Sequence, residues 1–137
     1  MAHRYLICGA LSGSESRISG LEFSEDIKAT IDCLYALGAD IKIDGNTVII
    51  CGINFKKGIR SSKLNCRESG STLRFFIPLA LCLGTEVTLK GSTRLLERPL
   101  EIYEDICREN GFVFRKDMNS VAVCGNLKSG SYKVRGD

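Results

Sequence analysis

Two short blocks hold the residues whose types and spacing can do chemistry. The first, Glu68-Ser69-Gly70-Ser71-Thr72-Leu73-Arg74, leads into an apolar run of helical length. Ser69, Ser71 and Thr72 are good capping residues, and Gly70 lets the backbone turn sharply and keeps a side chain from holding a ligand away. A helix starting here presents N–H groups without intrahelical partners, and the positive end of its dipole, to an anion. A plain cap on a core helix is the alternative reading of the same residues. The second block is Arg94-Leu95-Leu96-Glu97-Arg98-Pro99. A guanidinium is the natural bidentate partner of carboxylate or phosphate. Arg98 stands just ahead of Pro99, where a helix start is expected, and the dipole disfavours a cation there unless an anion is near. Glu97 offers the other explanation, a structural ion pair. Arg4 opens a third, mainly apolar helix, either as an anion ligand or as a snorkelling side chain. His3 has no Ser or Cys at a recognisable spacing and reads as incidental.

The elements that must position these residues follow from composition and periodicity. The chain has 137 residues, 44% of them hydrophobic, which suits one ordinary domain with a real core. Its net charge of +3 is too small to argue for nucleic acid, although Lys56, Lys57, Arg60, Lys63 and Arg67 crowd one segment. The longest apolar run, residues 75–83, is too short to span a bilayer, and the N-terminus lacks the pattern of a signal peptide. Seven cysteines without a CxxC pair, and a single His, argue against a zinc site or a disulfide framework and fit a reducing cytoplasm. They read as small buried hydrophobes; Cys66 is the one beside the polar loop.

The chain resembles itself. HRYLICGAL pairs with LRFFIPLAL, DCLYALGADIKI with DICRENGFVFRK, and NTVIICG with NSVAVCG. Arg4 then faces Arg74, and Gly38 faces Gly111. Each copy predicts a helix (3–12 and 71–83), a short strand (15–20 and 86–91), a second helix (24–37 and 98–110) and a closing hairpin. Ser24 is the expected cap of the first long helix, with Gly38 its stop, and Pro99 is expected in the first turn of its counterpart. Asp44-Gly45-Asn46 signals a hairpin turn. SSKLNC reads as a further strand, and SYKVRG as the first strand of a third copy. The repeating order is β-α-β-α-β-β: a first unit over 1–58 lacking its opening strand, a second over 59–127, and the start of a third over 128–137, all in one lobe. Pro78 inside 71–83 predicts a kink or a shorter helix, because an interior Pro costs about 3 kcal/mol.

Taken together, the two blocks and this unit resemble 5-enolpyruvylshikimate-3-phosphate synthase, the 3-phosphoshikimate 1-carboxyvinyltransferase family. Gly70-Ser71-Thr72-Leu73-Arg74 matches its Gly-Thr/Ser-x-x-Arg helix start, and Arg94 to Pro99 its Arg-x-x-Glu-Arg-Pro block. The resemblance implies an α/β (α+β) fold of repeated units with mixed sheets and parallel helices, an inside-out α/β barrel lobe, here incomplete. It implies transfer of the enolpyruvyl group of phosphoenolpyruvate to the 5-hydroxyl of shikimate 3-phosphate, in chorismate and aromatic amino-acid biosynthesis. That reaction is an addition and elimination that uses no metal and no organic cofactor. By resemblance Gly70, Ser71 and Arg98 bind phosphoenolpyruvate, Arg4 binds shikimate 3-phosphate, and Arg74, Arg94 and Glu97 support them. The alternatives are a UDP-N-acetylglucosamine enolpyruvyl transferase and a non-catalytic anion-binding or interaction module.

Two departures set further expectations. Glu68 stands where many members carry Asn, and its charge repels a phosphate unless it turns away or pairs with Arg67 or Arg74. The family's Lys-Ser ahead of Arg4, its Ser-Ser-Gln block and its second lobe with the acid–base residues are not in the 137 residues. No catalytic residue is therefore assigned, and the chain by itself is expected to be inactive, with weak substrate binding at most. Its partners would be the two substrates and the remainder of the enzyme, with no nucleic acid and no membrane. Open strand edges predict dimerisation.

Overall fold

The computed structural model describes residues 1–132, and its elements follow the repeat. The first copy runs α1 (Ala2–Leu11), β1 (Glu15–Ile18), α2 (Glu25–Ala36), β2 (Asp40–Asp44) and β3 (Thr47–Cys51). A 3-10 turn over Phe55–Lys57 leads to the second copy: β4 (Lys63–Asn65), α3 (Gly70–Leu81), β5 (Val87–Lys90), α4 (Thr93–Leu96), α5 (Glu101–Asn110), β6 (Val113–Lys116) and β7 (Ser120–Cys124). Strands β1-β3-β2 form one antiparallel sheet, and β4-β5-β7-β6 a mixed one. The order β1-β3-β2 is repeated in β5-β7-β6; β4 adds the strand without a counterpart in the first copy. The fold is thus mixed α/β with open sheets.

Local signals place most boundaries. Ser24 caps α2 by accepting the Ile27 N–H at 3.3 Å. Gly45 takes a positive φ of 56° in the β2–β3 turn, and Gly111 closes α5 in the left-handed conformation, as glycine does without steric cost. Alternation on β7, where Val121 and Val123 are fully buried, aims one face at a core shared with Leu6 of α1, Leu34 of α2 and Phe76 of α3. Cys66 joins that core as a fully buried thiol. Its neighbour Cys33 has its thiol pushed well up, first by hydrogen bonding with Cys66 and then by burial.

Two expectations need correction, and a third is decided between its alternatives. The helix drawn over 98–110 begins only at Glu101, because Leu95 and Leu96 bury themselves in the separate short helix α4; Arg98 and Pro99 form the link between the two. Arg98 is therefore not a cation at the start of its own helix. At Pro78 the shorter-helix alternative holds: α3 runs through Pro78 and ends at Leu81, two residues sooner than drawn. Pro78 has no N–H for the Arg74 carbonyl one turn back, and the Tyr103 hydroxyl donates to that carbonyl at 3.1 Å. Finally, Ser131 and Tyr132 form no strand, and the rest of the expected third-copy strand lies outside the described residues.

Candidate anion-binding site

Parallel pairing of β4 with β5, Lys63 opposite Thr88 and Asn65 opposite Lys90, brings the carboxyl ends of both strands to one place. In α/β sheets that is where ligands bind. The loops leaving the two strands are laced together: Cys66 N–H donates to the Lys90 carbonyl at 2.7 Å, and Ser92 N–H to the Arg67 carbonyl at 3.1 Å. Gly91 allows this approach, since a Cβ there would fall 2.7 Å from Leu95 and 2.9 Å from Leu96. Arg67 holds the loop from the other side. It adopts a positive φ of 52°, and its guanidinium pairs with Glu25 and, at 2.7 Å, with Asp32 on α2.

The turn so fixed ends in the first residues of α3. Ser69 Oγ accepts the Thr72 N–H at 3.2 Å, and Ser69 O accepts the Leu73 N–H at 3.0 Å. Among the described residues the N–H groups of Gly70 and Ser71 have no acceptor. They are the two open donors of the helix start. Against them lies Arg98: a Cβ on Gly70 would sit 2.5 Å from its Nη1 and 3.8 Å from Leu95 Cδ1. The buried Leu95 and Leu96 anchor the α4–α5 link that carries the guanidinium there. Gly70, Ser71, Arg74 and Arg98 line one open cleft of about 460 Å³ with Asp26, Glu68, Phe75 and Tyr103.

Charge in the cleft is balanced but not paired. Arg74 and Arg98 form no ion pair with Asp26, Glu68 or any other described residue. Arg67 is engaged by α2, so Glu68 finds a partner in neither arginine considered for it. Arg4 lies outside the cleft proper, with its Cζ 5.8 Å from the ring centroid of Phe75, a cation–π distance at the cleft wall. Arg94 and Glu97 are exposed, line no part of the cleft and make no ion pair among the described residues. A helix start and a guanidinium thus share one cleft with Arg74, Asp26 and Glu68, and each of these two positive features favours a negative charge beside it.

Comparison with known proteins decides the family. The EPSP synthase (3-phosphoshikimate 1-carboxyvinyltransferase) family model matches residues 1–135. The chain belongs to that family. The 3-phosphoshikimate 1-carboxyvinyltransferase of Clostridium kluyveri is 42% identical over 139 residues, covering 100% of this chain and 32% of that protein. That of Clostridioides difficile is 38% identical over 148 residues, covering 100% and 34%. The chain thus spans about a third of the length of the curated relatives it matches. An EPSP synthase structure from Acinetobacter baumannii superposes with a TM-score of 0.76 at 22% identity, over 90% of this chain and 29% of that one, which shows the shared fold.

Sequence reasoning missed three residues lining the cleft of this EPSP synthase-family chain, and the partner of a fourth residue, His3. Asp26 and Tyr103 belong to helices α2 and α5, whose periodicity gave no hint of a shared site. Phe75 read only as part of an apolar run. His3, taken as incidental, bonds through Nδ1 to Thr30 Oγ1 at 2.8 Å; nothing in its neighbours predicts a partner 27 residues away. Among the described residues no group of three or more His, Cys, Asp and Glu is placed to hold a metal ion, and no helix is long and apolar enough to cross a membrane.

Proposed function

We propose that the cleft holds phosphoenolpyruvate, with its acidic groups on the Gly70 and Ser71 amides and on the Arg98 guanidinium. The observation that carries this is the approach of Arg98 Nη1 to within 2.5 Å of where a Gly70 Cβ would sit, beside two donors that lack acceptors among the described residues. Arg4, reached over Phe75, would take shikimate 3-phosphate. Within a complete enzyme these groups would serve enolpyruvyl transfer. The 5-hydroxyl of shikimate 3-phosphate gives up its proton as its oxygen bonds to C2 of phosphoenolpyruvate, and C3 gains a proton. The tetrahedral adduct then loses phosphate from C2 and a proton from C3, which re-forms the C2–C3 double bond as an enol ether. The part of this chain is to hold two polyanions in place before the chemistry, where fixed donors need no reorganisation.

Family membership and the blocks at 70–74 and 94–99 support this over a nucleotide-sugar transferase. Asp26 and Glu68 offset both arginines, so binding by these residues alone is expected to be millimolar. No turnover is expected from the 137 residues, because they span about a third of their relatives. We assign 1–58 and 59–127 to two units of one lobe, a division supported by the repeated strand order. A cytoplasmic setting fits seven free thiols. The outer strands β1, β2, β4 and β6 leave edges for the remainder of the enzyme or for a second copy.

The test is a titration of phosphoenolpyruvate followed by amide shifts in the ¹⁵N spectrum. The Gly70 and Ser71 signals should move together, and Arg98→Gln should weaken the effect about tenfold. Shifts scattered over other surfaces, or indifference to Arg98→Gln, would remove the assignment.

A further inference from the structure

Thr30 of α2 and Thr72 of α3 bury hydroxyl groups in the apolar interface between their helices, both fully excluded from solvent. Such groups are tolerated only when paired. Their oxygens are 2.8 Å apart, and the Thr72 hydroxyl donates to Ser69 Oγ at 2.7 Å, with the Asp26 carbonyl at 3.4 Å as its other acceptor. At the other end stands His3 Nδ1, 2.8 Å from Thr30 Oγ1. Four residues from α1, α2 and the head of α3 therefore form one continuous chain.

Proton counting gives this chain a direction. Thr72 has one hydroxyl proton and directs it toward Ser69, so it must accept from Thr30. Thr30 has then used its own proton and can only accept from His3. The imidazole must carry a proton on Nδ1; with the proton on Nε2 alone, Thr30 would have to donate twice. The last member, Ser69, is the residue whose Oγ also accepts the Thr72 N–H and which directly precedes the open amides of Gly70 and Ser71.

We propose that His3 is a positioning residue for the anion-binding turn: its Nδ1–H sets the polarity of the Thr30–Thr72–Ser69 chain and so aims the Gly70 and Ser71 amides into the cleft. The proposal rests on the cleft being an anion site, as argued above. It places a functional duty on a side chain that touches no ligand.

Inorganic phosphate titrated into the 137-residue chain provides the test, read at the Gly70 and Ser71 amides. His3→Leu removes the donor and should weaken phosphate about 3- to 10-fold. His3→Asn puts an amide N–H at the Nδ1 position and should restore affinity to within about twofold of the parent. His3→Gln, with its amide at the Nε2 position, should not, and it replaces His3→Leu should that variant fail to fold. Unchanged affinity in a folded His3→Leu or His3→Gln, or no rescue by Asn, would overturn the proposal. A parent protein whose Gly70 and Ser71 signals ignore phosphate marks failure of the anion site itself. The role of His3 is then decided without ligand: protection of the Thr72 amide from exchange should fall in His3→Leu and return in His3→Asn, and protection unchanged by His3→Leu would refute it. A long-range ¹H–¹⁵N spectrum should show the neutral ring protonated on Nδ1; an Nε2–H form would equally refute the direction assigned.

Discussion

The guanidinium of Arg98 stands in the space that a side chain at Gly70 would take: a Cβ at 70 would lie 2.5 Å from Nη1. No other residue type permits this placement. What the methyl would meet is the tip of a flexible side chain, and Gly70 is at the first position of a helix with no positive φ.

Gly70→Ala should therefore separate binding from folding. Stability is expected to stay within about 0.5 kcal/mol of the parent, while phosphoenolpyruvate or phosphate affinity falls about tenfold as Arg98 is displaced. Urea unfolding and the amide titration measure the two sides. A large loss of stability with affinity intact would mean that the glycine serves packing only.

Tyr103 and Pro78 should be energetically coupled. The Tyr103 hydroxyl serves the carbonyl that Pro78 cannot serve. Tyr103→Phe is expected to cost about 1 kcal/mol in the parent and clearly less in a Pro78→Ala background, where the helix supplies its own donor. A double-mutant cycle reads the difference; strict additivity would show that the hydroxyl contributes nothing to α3.

Arg67 combines an unfavourable conformation with useful charge. At φ 52° a side chain costs about 1 kcal/mol relative to Gly, while the pairs with Glu25 and Asp32 are half-exposed and contribute modestly. Arg67→Ala loses the pairs and keeps the strain. Arg67→Gly loses the pairs and relieves it, so it should be more stable than Arg67→Ala by about 1 kcal/mol in denaturant midpoints. The reverse order would show that the backbone there is unstrained.

Stability should decline on the acid side because of His3. Burial lowers its proton affinity from the ordinary 6.5, the nearby Asp26 carboxylate opposes this, and the N-terminal ammonium reinforces it. The unfolded chain then binds the proton more readily than the folded one. The stability tied to this group is whole above pH 6.5 and fades as pH falls through 6.5 toward the lowered value. His3→Asn, which does not titrate, should lose less of its thermal midpoint than the parent between about pH 7.5 and about pH 5.5. Parallel curves would show that the folded and unfolded states bind this proton equally.

Much of the architecture was legible along the chain because its causes are local. The Ser24 and Ser69 caps, the Gly45 turn and the Gly111 stop each involve residues within a few positions of one another. Internal repetition exposed the β-α-β-α-β-β order, and the Gly-Ser and Arg-Pro blocks marked the cleft. The one misplaced helix start shows the limit of such signals. Pro99 argued for a first turn, but burying Leu95 and Leu96 decided where the chain bends.

Contacts between distant residues were settled by packing alone. Parallel pairing of β4 with β5 carries Arg98 to Gly70; no spacing between the two blocks implies it. His3 meets Thr30, and Thr30 meets Thr72, 42 residues on, only because α1, α2 and α3 share one core. A hydroxyl or an imidazole looks the same in the sequence whether solvated or buried. Its need for a partner arises when the fold removes water, and only the tertiary arrangement can then supply one.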